Sequence, residues 1–336
     1  MEAHFEPVSR REIERLWNQI RESTTDPRAG IFGPSSLSWK VSRESGLFLG
    51  AGRAALLQLV HPWVAAALDE HSNLRVNPVS RFHHTFRVVF TMTFGTLGQA
   101  LAASRHVYDL HTHIQGEITE GAGAYPKGSR YAANEVGALV WVYATLIESA
   151  LLAYETVLPP LTSDEREAYY TETKTLAALF GIPPTKLPVD WSGFEDYNRA
   201  MLASGTLGVN RLSREMAHRL LHGRGSWVPV PAWYRALTAQ LLPAELRNEF
   251  ALDYGEREEN AAARARRWLP RIYRRLPPQL RFVGPFQDAR DRLQSRRANW
   301  LTRANNRFWM GQSRMMFAEP GLDGAHDHEA GWKSTD

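Results

Sequence analysis

The chain has 336 residues, with 40 Lys and Arg against 36 Asp and Glu, a net charge of +4 and no cysteine. The missing cysteine excludes disulfides, Cys-type zinc sites, Cys-ligated iron–sulfur clusters and thiolate-ligated haem. The hydrophobic share of 43% is enough to build a core, so disorder throughout the chain is excluded as well. Any bound iron would need His, Tyr, Met or carboxylate ligands, which directs attention to the 12 histidines.

Apolar residues recur at helical spacing along most of the chain, whereas alternating apolar and polar runs are nearly absent. The predicted fold class is therefore all-α, as a single large helical domain. Pro62 disfavours the α conformation at His61, so a kink or break is expected there. The expected helices cover about 11–21, 54–70, 79–91, 96–117, 132–158, 163–179, 194–204, 211–222 and 231–241, with several more in 280–317.

Four segments are expected along the chain. Residues 1–30 form an N-terminal helical extension, 31–223 the core, 224–318 an Arg-rich helical part packed on the core, and 319–336 a disordered polar tail. Charged residues interrupt the first 20 positions, so no secretory signal and a cytoplasmic location are expected. The apolar stretch 136–158 carries Glu148 and Glu155 on one face, which favours a buried core helix over a transmembrane segment.

The arginines of residues 256–314 are interleaved with aromatic residues, a pattern that also occurs in nucleic-acid-binding proteins. The overall charge of only +4 favours amphipathic helices with solvated arginines, and no nucleic-acid partner is predicted. Peripheral contact with an anionic membrane surface is a third interpretation of this stretch.

Glycines at 50 and 52 formally match a dinucleotide-binding fingerprint that ends at Ala55. A nucleotide-binding fold would need a second strand ending in an acidic residue about 20 positions later. Here Asp69 and Glu70 instead end a helical stretch. The glycines are therefore predicted to serve close helix packing.

Helical geometry separates the histidines of residues 96–117. His111 falls on a small and apolar face and should point inward, whereas His106 and His113 fall on a charged, solvated face. His218 and His222 stand at the i, i+4 spacing that allows two imidazoles to share a metal ion. Nearby arginines would repel a cation, so a solvated helix end is the favoured interpretation.

Arg81, His84 and Thr85 stand at i, i+3 and i+4, with Val88 and Met92 continuing the same helical face. Burial of a cation, an imidazole and a hydroxyl on an otherwise apolar face costs free energy unless something binds these groups. The alternative is that this stripe is capped and exposed to solvent.

A set of short motifs occurs in a characteristic order. The motifs are Phe32-Gly33-Pro34 with Ser38-Trp39, Leu49-Gly50-Ala51-Gly52-Arg53, Leu56-Leu57-Gln58, His61-Pro62, His71-Ser72, Pro78 with Arg81, Thr85, Thr93-Phe94-Gly95-Thr96, His111 with Gly116, and Trp141-Val142-Tyr143-Ala144-Thr145-Leu146. As an ordered set, from about Ile31 to Gly223, they resemble the oxygenase family that includes the latex-clearing rubber oxygenases and the MpaB-type enzymes.

This resemblance implies an all-helical, globin-like core that binds one haem b, with His111 as the proximal iron ligand. In latex-clearing enzymes the open face of the haem is lined by Arg-x-x-Lys-Thr, which falls here on Arg81, His84 and Thr85, the expected catalytic residues. The Lys is replaced by His84, which either ligates the iron or donates a hydrogen bond to dioxygen.

Three further residues complete the expected cofactor-binding set. Tyr143 stands where MpaB-type relatives usually have His, and is the second candidate for iron ligand. His61 and Arg53 belong to the same ordered motifs. The resemblance thus implies a haem b-dependent oxygenase that uses dioxygen on a hydrophobic small molecule, with oxidative cleavage of an alkene as the reaction class. The alternative is a non-catalytic haem-binding sensor or carrier with six-coordinate iron.

Overall fold

The computed structural model describes residues 5–72, 78–222 and 230–317. Within these ranges the chain forms sixteen α-helices and a two-stranded sheet, so the all-α prediction is confirmed, while the globin-like nature of the core stays a prediction. The helices are α1 (Arg10–Ser23), α2 (Leu37–Ser42), α3 (Phe48–Leu59), α4 (Pro62–His71), α5 (Pro78–Phe94), α6 (Leu97–Thr112), α7 (Val136–Val157), α8 (Ser163–Leu179), α9 (Trp191–Ala203), α10 (Arg211–His222), α11 (Ala232–Gln240), α12 (Ala244–Glu249), α13 (Glu256–Tyr273), α14 (Pro278–Arg281), α15 (Gly284–Leu293) and α16 (Trp300–Met310). The strands are β1 (Gln115–Glu117) and β2 (Arg130–Ala132).

Helix α7 lies at the centre of the fold, against α3, α8 and α13. In the described ranges it is the helix whose length and composition would also allow it to cross a membrane, but 67% of its most apolar window is buried inside the protein. Its Glu148 side chain forms an ion pair with Arg53 of α3. Helix α7 is thus a core helix, as the positions of its two glutamates predicted.

The glycines of α3 permit close contact with neighbouring helices. A Cβ atom at Gly50 would overlap the carbonyl oxygen of Ser149 on α7, and one at Gly52 would lie 2.9 Å from Oγ1 of Thr238 on α11. Both glycines lie inside a helix rather than in a turn after a strand. Their predicted role in helix packing is therefore confirmed.

Three predicted helix boundaries need correction, whereas the predicted break at His61 is confirmed. The helix expected from residue 54 begins at Phe48. His61 adopts an extended conformation between α3 and α4. The helices expected over 96–117 and 132–158 are shorter, because residues 115–117 and 130–132 pair as antiparallel strands. A Cβ atom at Gly116 would lie 2.7 Å from the Tyr131 hydroxyl, so the glycine permits this close pairing.

Helices α5 and α6 form a hairpin with a connection of two residues, Gly95 and Thr96. Thr96 begins α6 with a capping box that includes Gln99. The N-terminal segment holds this closed end, because Leu97 N–H donates to the Pro27 carbonyl at 2.9 Å. Gly30, at φ +81°, lies so close to the Gly95 carbonyl that a Cβ atom would overlap it.

Helix α16 covers the outer side of α5. Arg87 donates to the Met310 carbonyl through Nε and Nη2, each at 3.1 Å. The Trp309 ring stacks on Phe48 at 3.8 Å between centroids, and Phe48 also contacts Phe86 of α5. The tail at 319–336, which the sequence predicts to be disordered, lies outside the described residues, and the division into four segments stays a prediction.

Candidate active site at the α5–α6 hairpin

The hairpin brings Arg81, His84 and His111 together. A short connection makes consecutive helices antiparallel neighbours, so the start of α5 lies beside the end of α6. The charge of Arg81 affects the pKa of both histidines, and His84 also affects His111. The structure therefore unites the stripe on α5 with the inward histidine of α6.

Both histidines are neutral at pH 7. Burial lowers the pKa of His111 to about 4, with the Arg81 charge as the second cause and a hydrogen bond with Asn134 acting in the opposite direction. Burial likewise lowers the pKa of His84 to about 4, followed by the charges of Arg81 and Arg87. A neutral imidazole keeps one nitrogen lone pair free, which is the form that ligates iron.

These residues line a recess. Arg81, His84, Thr85 and His111 each keep part of their surface accessible. Burial is nevertheless the largest cause of the lowered pKa values of Arg81, His84 and His111. Partial access combined with strong desolvation indicates a concave site surrounded by protein, and contradicts the alternative of a solvated outer stripe.

An apolar wall lies next to these polar groups. On α3, Ala51, Ala55 and Gln58 remain partly accessible at i, i+4 and i+7, and on α7 Val142 and Leu146 do so at i and i+4. The two stripes meet where Gln58 Nε2 donates to Oγ1 of Thr145 at 3.3 Å. Phe48, at the start of α3, contacts Phe82 of α5 at 4.9 Å between ring centroids. The wall therefore adjoins the helix that carries Arg81.

Asn134 is a site residue that sequence reasoning missed. It is buried, and its Nδ2 donates to the Tyr108 carbonyl at 3.3 Å. Its side-chain oxygen then remains to accept the hydrogen bond from His111. Such a partner fixes which imidazole nitrogen carries the proton. The available signal was a polar pair, Asn134 and Glu135, just before an apolar helix, which indicates only a helix start.

The hydroxyl of Thr85 is engaged within its own helix. It donates to the Arg81 carbonyl at 3.1 Å, the back-bonding contact typical of Thr in helices. Because its proton is used in this bond, the Thr85 oxygen keeps only acceptor capacity for any further partner.

Tyr143 lies in a different environment from His111. Its hydroxyl is buried and hydrogen-bonded to Thr173 Oγ1 of α8 at 2.9 Å, and its ring contacts Phe194 of α9. Burial raises the pKa of Tyr143 well above the usual value, so the phenol stays protonated. A protonated, hydrogen-bonded phenol is a poor iron ligand, and the role of Tyr143 at the cofactor stays a prediction.

Arg53 joins three helices. Its Nη2 donates to Glu148 at 2.6 Å, its Nη1 to Ser149 at 2.9 Å and its Nε to the Leu241 carbonyl at 2.8 Å. The side chain is only 6% exposed. All three guanidinium nitrogens thus donate within the protein, and the structure does not bring Arg53 together with Arg81, His84 and His111.

His61 lies in a buried aromatic group. Its ring contacts Tyr125 at 5.4 Å and Trp63 at 6.1 Å between centroids. Its Nδ1 is buried without a hydrogen-bond partner among the described residues, and burial lowers its pKa to about 4. The role of His61 at a cofactor stays a prediction.

The surface positions expected for His106 and His113 are confirmed, whereas His218 is part-buried and only His222 is exposed at the helix end. His106 and His113 are exposed on α6 and at its end. His218 and His222 stack at 5.7 Å, and each bonds to a backbone carbonyl. In the described ranges no group of three or more His, Asp and Glu side chains is arranged to hold a metal ion.

The comparisons with known proteins identify a family for most of the chain. No curated protein and no solved structure matches the chain significantly. One family model matches residues 39–271, described as "ER-bound oxygenase mpaB/B'/Rubber oxygenase, catalytic domain". The match covers well over half of the chain, contains Arg81, His84 and His111, and extends into α13 beyond the core segment expected from the sequence. The chain therefore belongs to the family of mpaB and rubber oxygenase catalytic domains, and its general function is that of an oxygenase.

Proposed function

We propose that this oxygenase uses haem b, held by His111, to oxidise a hydrophobic small molecule with dioxygen. The observation that carries the proposal is a neutral imidazole, His111, in a recess beside a cation, Arg81, and a second neutral imidazole, His84. A lone histidine suits haem, because the porphyrin brings four nitrogen ligands of its own and needs one imidazole from the protein. The apolar stripes of α3 and α7 suit the flat, apolar ring.

Haem b, when bound, supplies the iron chemistry that activates dioxygen. The protein's part follows from its side chains. Asn134 accepts the N–H of His111 and so keeps the lone pair of the other ring nitrogen in a fixed direction. Arg81 and neutral His84 present N–H donors within the recess, where they stabilise negative charge that develops on an oxygen atom. The surrounding burial excludes bulk water and strengthens these interactions.

The proposed substrate class is an apolar alkene, as the sequence resemblance implies. Cleavage of one C=C bond by one molecule of dioxygen gives two carbonyl groups, so the atoms balance without an external electron donor. An apolar wall binds such a substrate mainly by burial and gives it little directional specificity. Orientation of the double bond would then depend on the polar groups of α5.

The absorption spectrum of the purified, haem-reconstituted protein tests this proposal. We expect a Soret band that His111→Ala loses, while His113→Ala, which changes an exposed histidine two residues away, retains it. A wild-type protein with no Soret band after reconstitution would contradict the cofactor. A band unchanged in His111→Ala would contradict the ligand.

His84 supports a second candidate function, a haem-binding carrier or sensor. Because His84 is neutral and near His111, its free lone pair would be available as a second iron ligand. The carrier predicts a low-spin spectrum that carbon monoxide does not change and that His84→Leu converts to high spin. The oxygenase predicts a spectrum that carbon monoxide shifts in the wild-type protein.

A further inference from the structure

Helix α16 has an apolar face that points away from the protein. Trp300, Leu301 and Phe308 are exposed by 74%, 42% and 68%. At 3.6 residues per turn, these three side chains and Ala304 fall within an arc of about 100°. The opposite side of the helix, with Thr302, Asn306 and Met310, is buried against the core. The exposed face is thus a separate surface and not a loosely packed part of the core.

A neighbouring helix extends this apolar face. Leu280 of α14 is 63% exposed. Helix α14 is fixed beside α16, because Asn305 Nδ2 donates to the Gln279 carbonyl at 2.9 Å. Asn305 lies about one helical turn after Leu301, at the edge of the apolar face. Helices α14 and α16 therefore both contribute large, exposed hydrophobic side chains to one side of the molecule. Soluble domains usually expose such side chains singly rather than in a cluster.

Four arginines accompany this face. Arg296 and Arg297 are exposed just before α16, Arg307 is exposed on the helix, and Arg303 is partly exposed one turn earlier. In the part of the chain that the structure describes, none of the four forms an ion pair with a carboxylate. The nearby Arg281, by contrast, is paired with Glu44. The apolar face therefore lies beside uncompensated positive charge.

We propose that this face, formed by Leu280, Trp300, Leu301 and Phe308 with its flanking arginines, docks the protein on an anionic lipid bilayer. Aromatic and aliphatic side chains on one face of a helix enter the boundary between headgroups and acyl chains, and arginines at the edge bind anionic headgroups. A second copy of the chain suits the face less well, because two-fold pairing places the same four arginines opposite each other.

The position of α16 relates the docking face to the site. The helix is bonded directly to α5, through Arg87 to Met310 and through His83 to the Phe308 carbonyl at 3.1 Å. Docking therefore places the helix that carries Arg81 and His84 one helix layer from the bilayer. An apolar substrate dissolved in the membrane then lies close to the recess; this last step rests on the proposed function, whereas the docking itself does not.

Vesicle co-sedimentation of the full chain tests the docking. We expect binding to vesicles of phosphatidylcholine with phosphatidylserine, and binding at least about tenfold weaker to phosphatidylcholine alone. The double variant Trp300→Glu and Phe308→Glu should lose at least about tenfold in partitioning, because its carboxylates face the acyl boundary. Arg296→Gln with Arg307→Gln should reduce the preference for phosphatidylserine.

Val189→Glu is the matched control, since Val189 is an apolar side chain 86% exposed elsewhere on the molecule. It should bind vesicles as the wild type does. All variants change exposed positions, so thermal unfolding should confirm that they fold normally. Equal vesicle binding by the wild type and the Trp300/Phe308 double variant would overturn the proposal. So would a wild-type dimer that this double variant dissociates, because the face would then be a subunit interface.

Discussion

Arg81 on α5 and His111 on α6 interact across the open end of the hairpin. Burial is the main reason why the pKa of His111 falls to about 4, and the charge of Arg81 lowers it further. The imidazole therefore stays unprotonated across the physiological pH range, which is the form that the proposed iron binding requires. In the proposed function the same cation also offers N–H donors to a molecule bound in the recess, so Arg81 would affect both His111 and the bound substrate.

Asn134 should act as a positioning residue for His111. Asn134→Ala removes the acceptor of the imidazole N–H, and we expect haem affinity to fall about 10–100-fold. Haem transfer to an excess of a competing apoprotein measures this change. Asn18→Ala, at an exposed position on α1, is the control. Unchanged haem transfer in Asn134→Ala would show that the imidazole is oriented by other contacts.

His61 should make the protein less stable in mild acid. Its folded-state pKa is about 4 against 6.5 in the unfolded chain, so the unfolded state binds the additional proton between these values. The free energy of unfolding therefore falls as the pH is lowered through this window. In His61→Gln the loss between about pH 7.5 and about pH 5 should be smaller by about 2 kcal/mol.

Urea unfolding of the haem-free protein at both pH values measures this difference. His113→Gln, at an exposed position, should show the wild-type pH dependence. An identical pH dependence in His61→Gln would mean that His61 is protonated in the folded protein. The other acid-sensitive groups remain in every variant, so comparing variants isolates the contribution of His61.

Arg53 should matter for stability far more than a surface arginine does. Arg53→Met leaves Glu148 without its partner in a largely buried position, and we expect the free energy of unfolding to fall by about 3 kcal/mol. Arg211 pairs with Glu215 while 72% exposed, so Arg211→Met should change it by less than about 0.5 kcal/mol. Equal effects of the two substitutions in chemical unfolding would be inconsistent with the buried ion pair.

A side chain at position 50 should destabilise the protein. Gly50→Ala forces α3 away from the Ser149 carbonyl of α7, and overpacking of this kind should lower the free energy of unfolding by about 1–3 kcal/mol. Gly98, in the first turn of α6, has only a contact at 3.8 Å, so Gly98→Ala should be neutral or stabilising by up to about 1 kcal/mol. Thermal unfolding of the two variants separates these outcomes.

Tyr143→Phe should leave haem binding intact. The substitution removes one buried hydrogen bond to Thr173 and should cost about 1 kcal/mol of stability. The Soret band of the reconstituted variant should match that of the wild type. Loss of the band here, together with its retention in His111→Ala, would move the iron ligand to Tyr143.

The residues of the candidate site could be grouped from the sequence because they lie on two consecutive helices, while their role at a cofactor stays a prediction. Helical spacing alone turned His111 inward and placed Arg81, His84 and Thr85 on one face, and the short connection at Gly95 determines that the two faces meet. Asn134 was not predictable in this way. It reaches His111 only because residues 115–117 pair with residues 130–132, and this pairing depends on a fit between Gly116 and Tyr131 that periodicity does not encode.

The fold shows the same division between local and tertiary signals. The break at His61 was predictable because proline acts on its immediate neighbour. The partners of Arg53, Glu148 and Leu241, are distant in sequence and were not predictable from its motif. They depend on the packing of α3 against α7 and α11, which the local sequence pattern does not encode, and the expected role of Arg53 at a cofactor stays a prediction.

Gly95, at the closed end of the α5–α6 hairpin, is the pivot about which the two helices would rotate relative to each other. Residues 27 and 30 hold this closed end, while Arg81 and His111 stand near the two tips of the hairpin. At 1.5 Å per residue, the tips lie about 20 Å from the pivot, so a rotation of about 5° there moves one tip by about 2 Å. A side chain at Gly30, which would overlap the Gly95 carbonyl, would therefore shift the imidazole of His111 relative to the guanidinium of Arg81 from a distant position.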